Sequence, residues 1–168
     1  TNDKLYSAHL KNFFDVSPSQ TLEVGISGAS GVNDPDGHER TTLEGLDLTY
    51  KWKPLQANTY KSFTFQNQFL FSQRAQSTGD INSWGMYSYA GYQLAQRWVV
   101  GARYDYSQFP DDSHNVDQAG SAIITYRPSE FQDIRLQYKH TTRNYDADSD
   151  ALYFEWVWAI GAHGAHPY

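Results

Sequence analysis

Along this chain apolar and polar side chains change places at every second residue, in about nine separate runs. The last run is the sharpest. In Ala151 to Tyr168, ALYFEWVWAIGAHGAHPY, Leu152, Phe154, Trp156, Trp158 and Ile160 take alternate positions, with Tyr153, Glu155, Val157 and Ala159 between them. A period of two is that of a β-strand, whose successive side chains point to opposite faces. One face of this strand has no polar atom except the indole N–H groups, so it belongs in a core or in lipid.

The earlier runs repeat the pattern. From Leu5 to Val16, Tyr6, Ala8, Leu10, Phe14 and Val16 alternate with Ser7, His9, Lys11 and Asp15, and Asn12 interrupts the apolar row. Ser17-Pro18-Ser19-Gln20 predicts a short turn, because Pro donates nothing to a ladder and Ser favours turn starts. From Thr21, Leu22, Val24 and Ile26 oppose Glu23, Gly25 and Ser27, and the polar stretch Gly28 to Thr41 then predicts a long loop. Leu46, Leu48, Tyr50 and Trp52 face away from Gly45, Asp47, Thr49 and Lys51, with a compact break at Pro54 to Asn58. Phe63, Phe65, Phe69 and Phe71 oppose Thr64, Gln66, Gln68 and Ser72, a spacing that does not fit a helix.

A polar loop, Gln76 to Asn82, leads to Trp84, Met86, Ala90, Tyr92 and Leu94, where Tyr87 and Tyr89 on the other face leave the inward side open. Beyond the tight Ala95-Gln96-Arg97 connection, Trp98, Val100, Ala102, Tyr104 and Tyr106 oppose Gly101, Arg103, Asp105 and Ser107. An acidic loop, Pro110 to Asp117, precedes a strand from Gln118 to Tyr126 and a turn at Arg127-Pro128-Ser129-Glu130. Ile134, Leu136, Tyr138 and His140 then oppose Arg135, Gln137, Lys139, Thr141 and Arg143. A face carrying Arg, Gln, Lys, Thr and Arg excludes a dry core on that side.

Composition narrows the setting. The 168 residues are polar on average, with mean hydropathy -0.69, yet 16% are aromatic. Disordered chains are poor in aromatics, whereas alternation between lipid-facing and water-facing side chains gives this mixture. No apolar run reaches the ~18 residues of a spanning helix, so a membrane would have to be crossed by strands. The absence of Cys suits an exported protein that needs no disulfides, and equally many cytosolic ones. A net charge of -6 without a basic stripe argues against nucleic acid as a partner.

The connections alternate as well. Those after the second, fourth, sixth and eighth strands are long or acidic, and those after the first, third, fifth and seventh are short. Outer-membrane barrels have this asymmetry, with short periplasmic turns and longer outer loops. With the C-terminus periplasmic, counting back about nine strands puts Thr1 to Lys4 outside. A complete bacterial barrel has an even count, so either the first strand is not one or the chain is the C-terminal part of a larger barrel. The expected fold is therefore all-β, an antiparallel up-and-down transmembrane barrel or segment forming one domain over residues 1–168, with no separate plug.

A terminal strand ending on an aromatic residue resembles the closing strand of Gram-negative outer-membrane barrels, where that ending serves as the assembly signal. The tail Ile160-Gly161-Ala162-His163-Gly164-Ala165-His166-Pro167-Tyr168 resembles that of phosphate-selective porins and of zinc-regulated, TonB-dependent receptors. The resemblance to barrels spans the chain, whereas that to the subgroup rests on nine residues. With no plug and no TonB-contacting segment in the sequence, it implies a porin or receptor wall passing small hydrophilic solutes or ions. The partners it implies are outer-membrane lipid, the barrel assembly machinery through the last strand, and other envelope proteins. Alternatives are a non-transporting docking barrel whose lumen a partner fills, and a soluble ligand-binding β-barrel.

Each face then has its candidate residues. Lys11, Asp15, Glu23, Asp47, Lys51, Arg103, Asp105, Arg135, Lys139, Arg143 and Glu155 are expected to line a hydrated lumen, biasing what passes or holding the wall through cross-strand ion pairs. Leu48, Tyr50, Phe63, Phe65, Phe69, Val100, Tyr104, Leu136, Tyr138, Phe154, Trp156 and Trp158 are expected to face lipid. Trp52, Tyr60, Trp84, Trp98, Tyr106, Tyr126 and Tyr145 suit aromatic girdles at its two boundaries. No cofactor is expected. His163 and His166, His38 beside Asp34 and Asp36, and His114 beside Asp111 and Asp112 are weak candidates for a divalent cation. The aspartates at 146, 148 and 150 imitate an EF-hand start, but the loop lacks its Gly and ends on Val157. No nucleophile elbow, phosphate-cradling loop or helix-borne metal motif appears, so no enzyme is expected.

Overall fold

The computed structural model describes residues 4–36, 38–56 and 60–159. They form one antiparallel sheet of nine strands in chain order: β1 Tyr6–Ser17, β2 Gln20–Val32, β3 Arg40–Trp52, β4 Ser62–Arg74, β5 Ile81–Ala95, β6 Trp98–Gln108, β7 Val116–Ser129, β8 Gln132–Arg143 and β9 Ser149–Trp158. Every strand pairs only with its sequence neighbours, so the all-β up-and-down reading holds. The sheet is open. Among the described residues β1 and β9 do not meet, and each leaves one edge unpaired.

Three of the four connections at one end are two-residue turns, closed by the pairs Ser17↔Gln20, Ala95↔Trp98 and Ser129↔Gln132. Each has a register irregularity beside it. A bulge of this kind adds local twist where the chain reverses. Pro128 lies in the irregular stretch, which suits a residue without an N–H to give. The turn predicted at 127–130 is therefore at Glu130-Phe131. The fourth connection, between Trp52 and Ser62, is longer than the compact break expected there.

At the other end the loops are shorter than the polarity pattern suggests. Gly28 to Val32 and Arg40 to Thr41, read from sequence as loop, continue the ladder as Ser30↔Thr42, Gly31↔Thr41 and Val32↔Arg40. Backbone pairing needs no apolar side chains, and here small polar ones support it: Ser30 Oγ lies 3.3 Å from Thr42 Oγ1, and Asn33 donates to Thr41 Oγ1 at 2.9 Å. Likewise β5 begins at Ile81 and β7 at Val116, inside stretches expected to be loops. The last strand ends at Trp158, and Ile160, His163 and His166 lie outside the described residues.

This sheet has no hydrophobic core. Ala119, 4% exposed, is the one buried hydrophobic residue among those described, and Ser83, Ser121, Thr125 and Thr141 are the buried polar ones. The accessible surface is 11576 Å², against about 8,400 Å² for a compact soluble monomer of this mass. Among the described residues no helix is long and apolar enough to cross a membrane.

Candidate pore-lining face

The register sorts the side chains into two faces. Following one row, Lys11, Gly25, Asp47, Gln68, Tyr87, Asp105, Ala119, Thr141 and Ser149 stand side by side across all nine strands. Rows two residues away carry Glu23, Arg103 and Lys139, and Asp117 with Arg143. All eleven charged residues expected to share a face do so. The twelve expected apolar partners occupy the opposite face, in rows such as Tyr50, Phe65, Ala90, Ala102, Ala122, Tyr138 and Leu152.

Burial tells which face is concave. Every buried residue among those described is on the charged face, while on the apolar face Ile26 is 55% exposed, Phe154 67% and Trp156 53%. Glycines agree. A Cβ at Gly25 would lie 2.4 Å from Asp47, and one at Gly101 would lie 2.7 Å from the Tyr89 ring; at Gly120, on the apolar face, it would meet nothing within 4 Å. Small residues on the charged side let the sheet bend toward it. At the turn end the concave side opens into a cavity of about 1530 Å³, and turns as distant in sequence as Pro18-Ser19 and Glu130 both line it.

The charges on this face pair across strands and, in one case, along a strand. Glu23 accepts from Lys11 at 3.2 Å and from Lys51 at 3.1 Å, and Asp47 is 3.3 Å from His9 and 3.8 Å from Lys11. Arg103 grips Asp105 at 2.6 Å and lies 4.2 Å over the Tyr87 ring. Arg135 pairs with Glu155 at 3.2 Å and Arg143 with Asp117 at 3.6 Å. Among the described residues Asp15 and Lys139 have no ion pair within 4 Å; Lys139 looks into a recess of about 320 Å³ that Asp105 and Asp117 also line. His9 falls with Lys11 and Asp15 in the alternation but is not among the expected lumen residues, and Asp117, expected in the loop at 110–117, belongs to β7 on this face. Tyr87 and Tyr89, whose side the alternation leaves open, stand on the charged face.

The apolar face carries rings in two bands. Trp98 packs on Tyr126 at 4.6 Å and Trp156 on Trp158 at 4.8 Å near the turns, whereas Trp84 stacks on Tyr106 at 4.3 Å near the loops. On β6 the bands are the eight residues from Trp98 to Tyr106 apart, about 26 Å along a strand. Between them Asn67 donates to Ser88, so two polar groups on the apolar face satisfy each other.

The two rims differ in charge. The loops at 33–39, 75–80, 109–115 and 144–148 contain Asp34, Asp36, Glu39, Asp80, Asp111, Asp112, Asp146 and Asp148 and no Lys or Arg. The turns contain Lys53, Lys61 and Arg97 against Glu130, and the strands between hold nine cationic and nine anionic side chains. In the last loop Tyr145 packs edge-on against Phe109 at 5.1 Å and donates to Asp117 at 2.7 Å. That bond to a carboxylate, then burial, raises its hydroxyl pKa above the ordinary 10.0. The His114 ring lies 3.2 Å from its neighbour Asp112, and no group of three metal-ligating residues forms among the described residues. No protein-family model matches the chain. No curated protein matches it either.

Proposed function

We propose that this chain is a wall segment of an outer-membrane β-barrel, with its aromatic face in lipid and its charged face lining an aqueous passage for small hydrophilic solutes or ions. One observation carries the reading: the concave, buried side of the sheet is the charged side, and the convex, exposed side is the apolar one. Such a sheet is unstable in water, where its apolar face has no cover, and is suited to a bilayer, where lipid covers it. The ring bands support it. A strand tilted by about 40° reduces their 26 Å separation to roughly 20 Å, somewhat less than the ~25 Å apolar belt of such barrels. The acidic loops then face outward and the short turns the periplasm.

A bilayer also demands that no backbone edge be left open. In a nine-strand meander β1 and β9 run in the same direction, so they cannot close antiparallel on each other. A second copy inserted in the same sense offers the same parallel match. Antiparallel completion therefore takes an odd number of further strands, and the lumen belongs to that larger barrel. Two measurements test the proposal: heat-modifiable gel migration in detergent, and conductance in planar bilayers. Solubility without detergent as a folded monomer would overturn the membrane reading, and a folded, bilayer-inserted protein without conductance would overturn the passage.

A further inference from the structure

Resting on that reading, we infer that the passage is electrically polarised and conducts unequally in its two directions. The strand charges cancel, so the net charge of the sheet resides at its two ends and with opposite sign. Eight carboxylates occupy the loop connections, against Lys4 ahead of β1 and Arg40, Arg74 and Arg143 at the strand ends beside them, so this end is anionic. At the other end Lys51, Lys53, Lys61, Arg97 and Arg127 line the turn-end cavity against Asp15 and Glu130. Two of these five are already paired, Lys51 with Glu23 at 3.1 Å and Arg127 with Asp133 at 3.2 Å. Lys53, Lys61 and Arg97 have no carboxylate within 4 Å among the described residues, so their charge is available to the mouth.

The rims lie farther apart than the charges can sense each other. An 11-residue strand such as β6 is about 36 Å long, whereas the screening length is ~10 Å at 0.1 M salt. Each mouth therefore gathers its own counterion, cations at the loops and anions at the turns. When the loop side is positive, cations enter through the loop mouth and anions through the turn mouth. Both carriers arrive from the side where they are enriched, and the current is large. Reversed polarity draws each carrier from the mouth that repels it, and the current falls.

The test is the current–voltage curve of the complete barrel that contains this chain, in planar bilayers of uncharged lipid, with orientation read by one-sided protease cleavage of the loops after the curves are recorded. At 0.1 M KCl the expected ratio of currents at opposite 100 mV potentials is on the order of two, larger with the loop side positive. At 1 M KCl, where screening shortens to ~3 Å, it returns to about one. The variant K53E/K61E/R97E changes side chains at the rim that hold no ion pair, and it is expected to conduct ohmically with increased cation preference. An open channel that is ohmic at 0.1 M salt would overturn the inference and leave the passage standing. So would rectification that the triple variant retains. Absence of any channel would overturn the passage and the inference with it.

Discussion

Placing a charge in the middle of the apolar face separates a lipid-facing sheet from a soluble one by energy alone. Ala102 is exposed and lies midway between Trp98 and Tyr106 on β6, in the row of Phe65, Ala90 and Tyr138. Four residues from each ring band is about 13 Å along the strand, or roughly 10 Å in depth at a ~40° tilt. Ala102→Arg would put a guanidinium near the bilayer midplane, at a cost of about 2–4 kcal/mol. On a water-exposed surface the same substitution is worth within ~0.5 kcal/mol. The control is Gln137→Arg, at similar depth on the charged face, which loses only the 3.0 Å bond from Gln137 to Ser121, about 1 kcal/mol. Denaturant titrations of reversible folding into phospholipid vesicles, followed by tryptophan fluorescence, measure both. Equal stability of Ala102→Arg and the parent would refute the lipid assignment of this face.

Two further outcomes follow from particular bonds. The bond from Asn67 to Ser88 on the apolar face predicts a coupling of about 0.5–2 kcal/mol in a double-mutant cycle with Asn67→Ala and Ser88→Ala; additive effects would show that solvent or lipid headgroups satisfy both groups. Tyr145 has its pKa raised by Asp117, so its ionisation lies above 10.0 in the folded protein. Its bond stabilises fully below that ordinary value and is lost as pH rises through the elevated one. The absorbance titration difference between the parent and Tyr145→Phe is expected to move to lower pH in the Asp117→Asn background, and an unmoved difference would refute the bond.

How much of this was legible in the sequence depends on what alternation encodes. Strand identity and face membership came through because side chains on a strand alternate strictly, so Arg103, Asp105 and Lys139 could be grouped before any pairing was known. Strand ends did not come through. Beyond Ile26 the chain turns to Gly28, Ala29, Ser30 and Gly31, which look like loop, yet the backbone ladder continues to Val32. Hydropathy measures what a side chain needs, and a ladder that runs past the apolar belt needs nothing from it. The ion-pair partners were also hidden, since Glu23 reaches Lys51 only through the register of β2 on β3.

Alternation has a second blind spot: it groups residues into two faces without saying which one is concave. That choice is set by volume rather than polarity, and it can be tested through glycine. Tyr89 lies across Gly91 and Gly101, and a Cβ added at Gly101 would come within 2.7 Å of its ring. The ring is hemmed in by both glycines and by the concave wall, so Gly101→Ala has to displace it, at about 1–3 kcal/mol, the usual cost of overpacking. Gly120, one strand away on the opposite face, has open space where the methyl would go. There Ala replaces Gly at ordinary strand geometry and is expected to stabilise by roughly 0.4–1 kcal/mol, through the loss of unfolded-state freedom. Opposite signs for two identical substitutions on neighbouring strands would follow only from a sheet curved toward its charged side. A reversal would mean that the sheet bends the other way and that its charges point outward, and equal effects would mean that the charged side is not the crowded one.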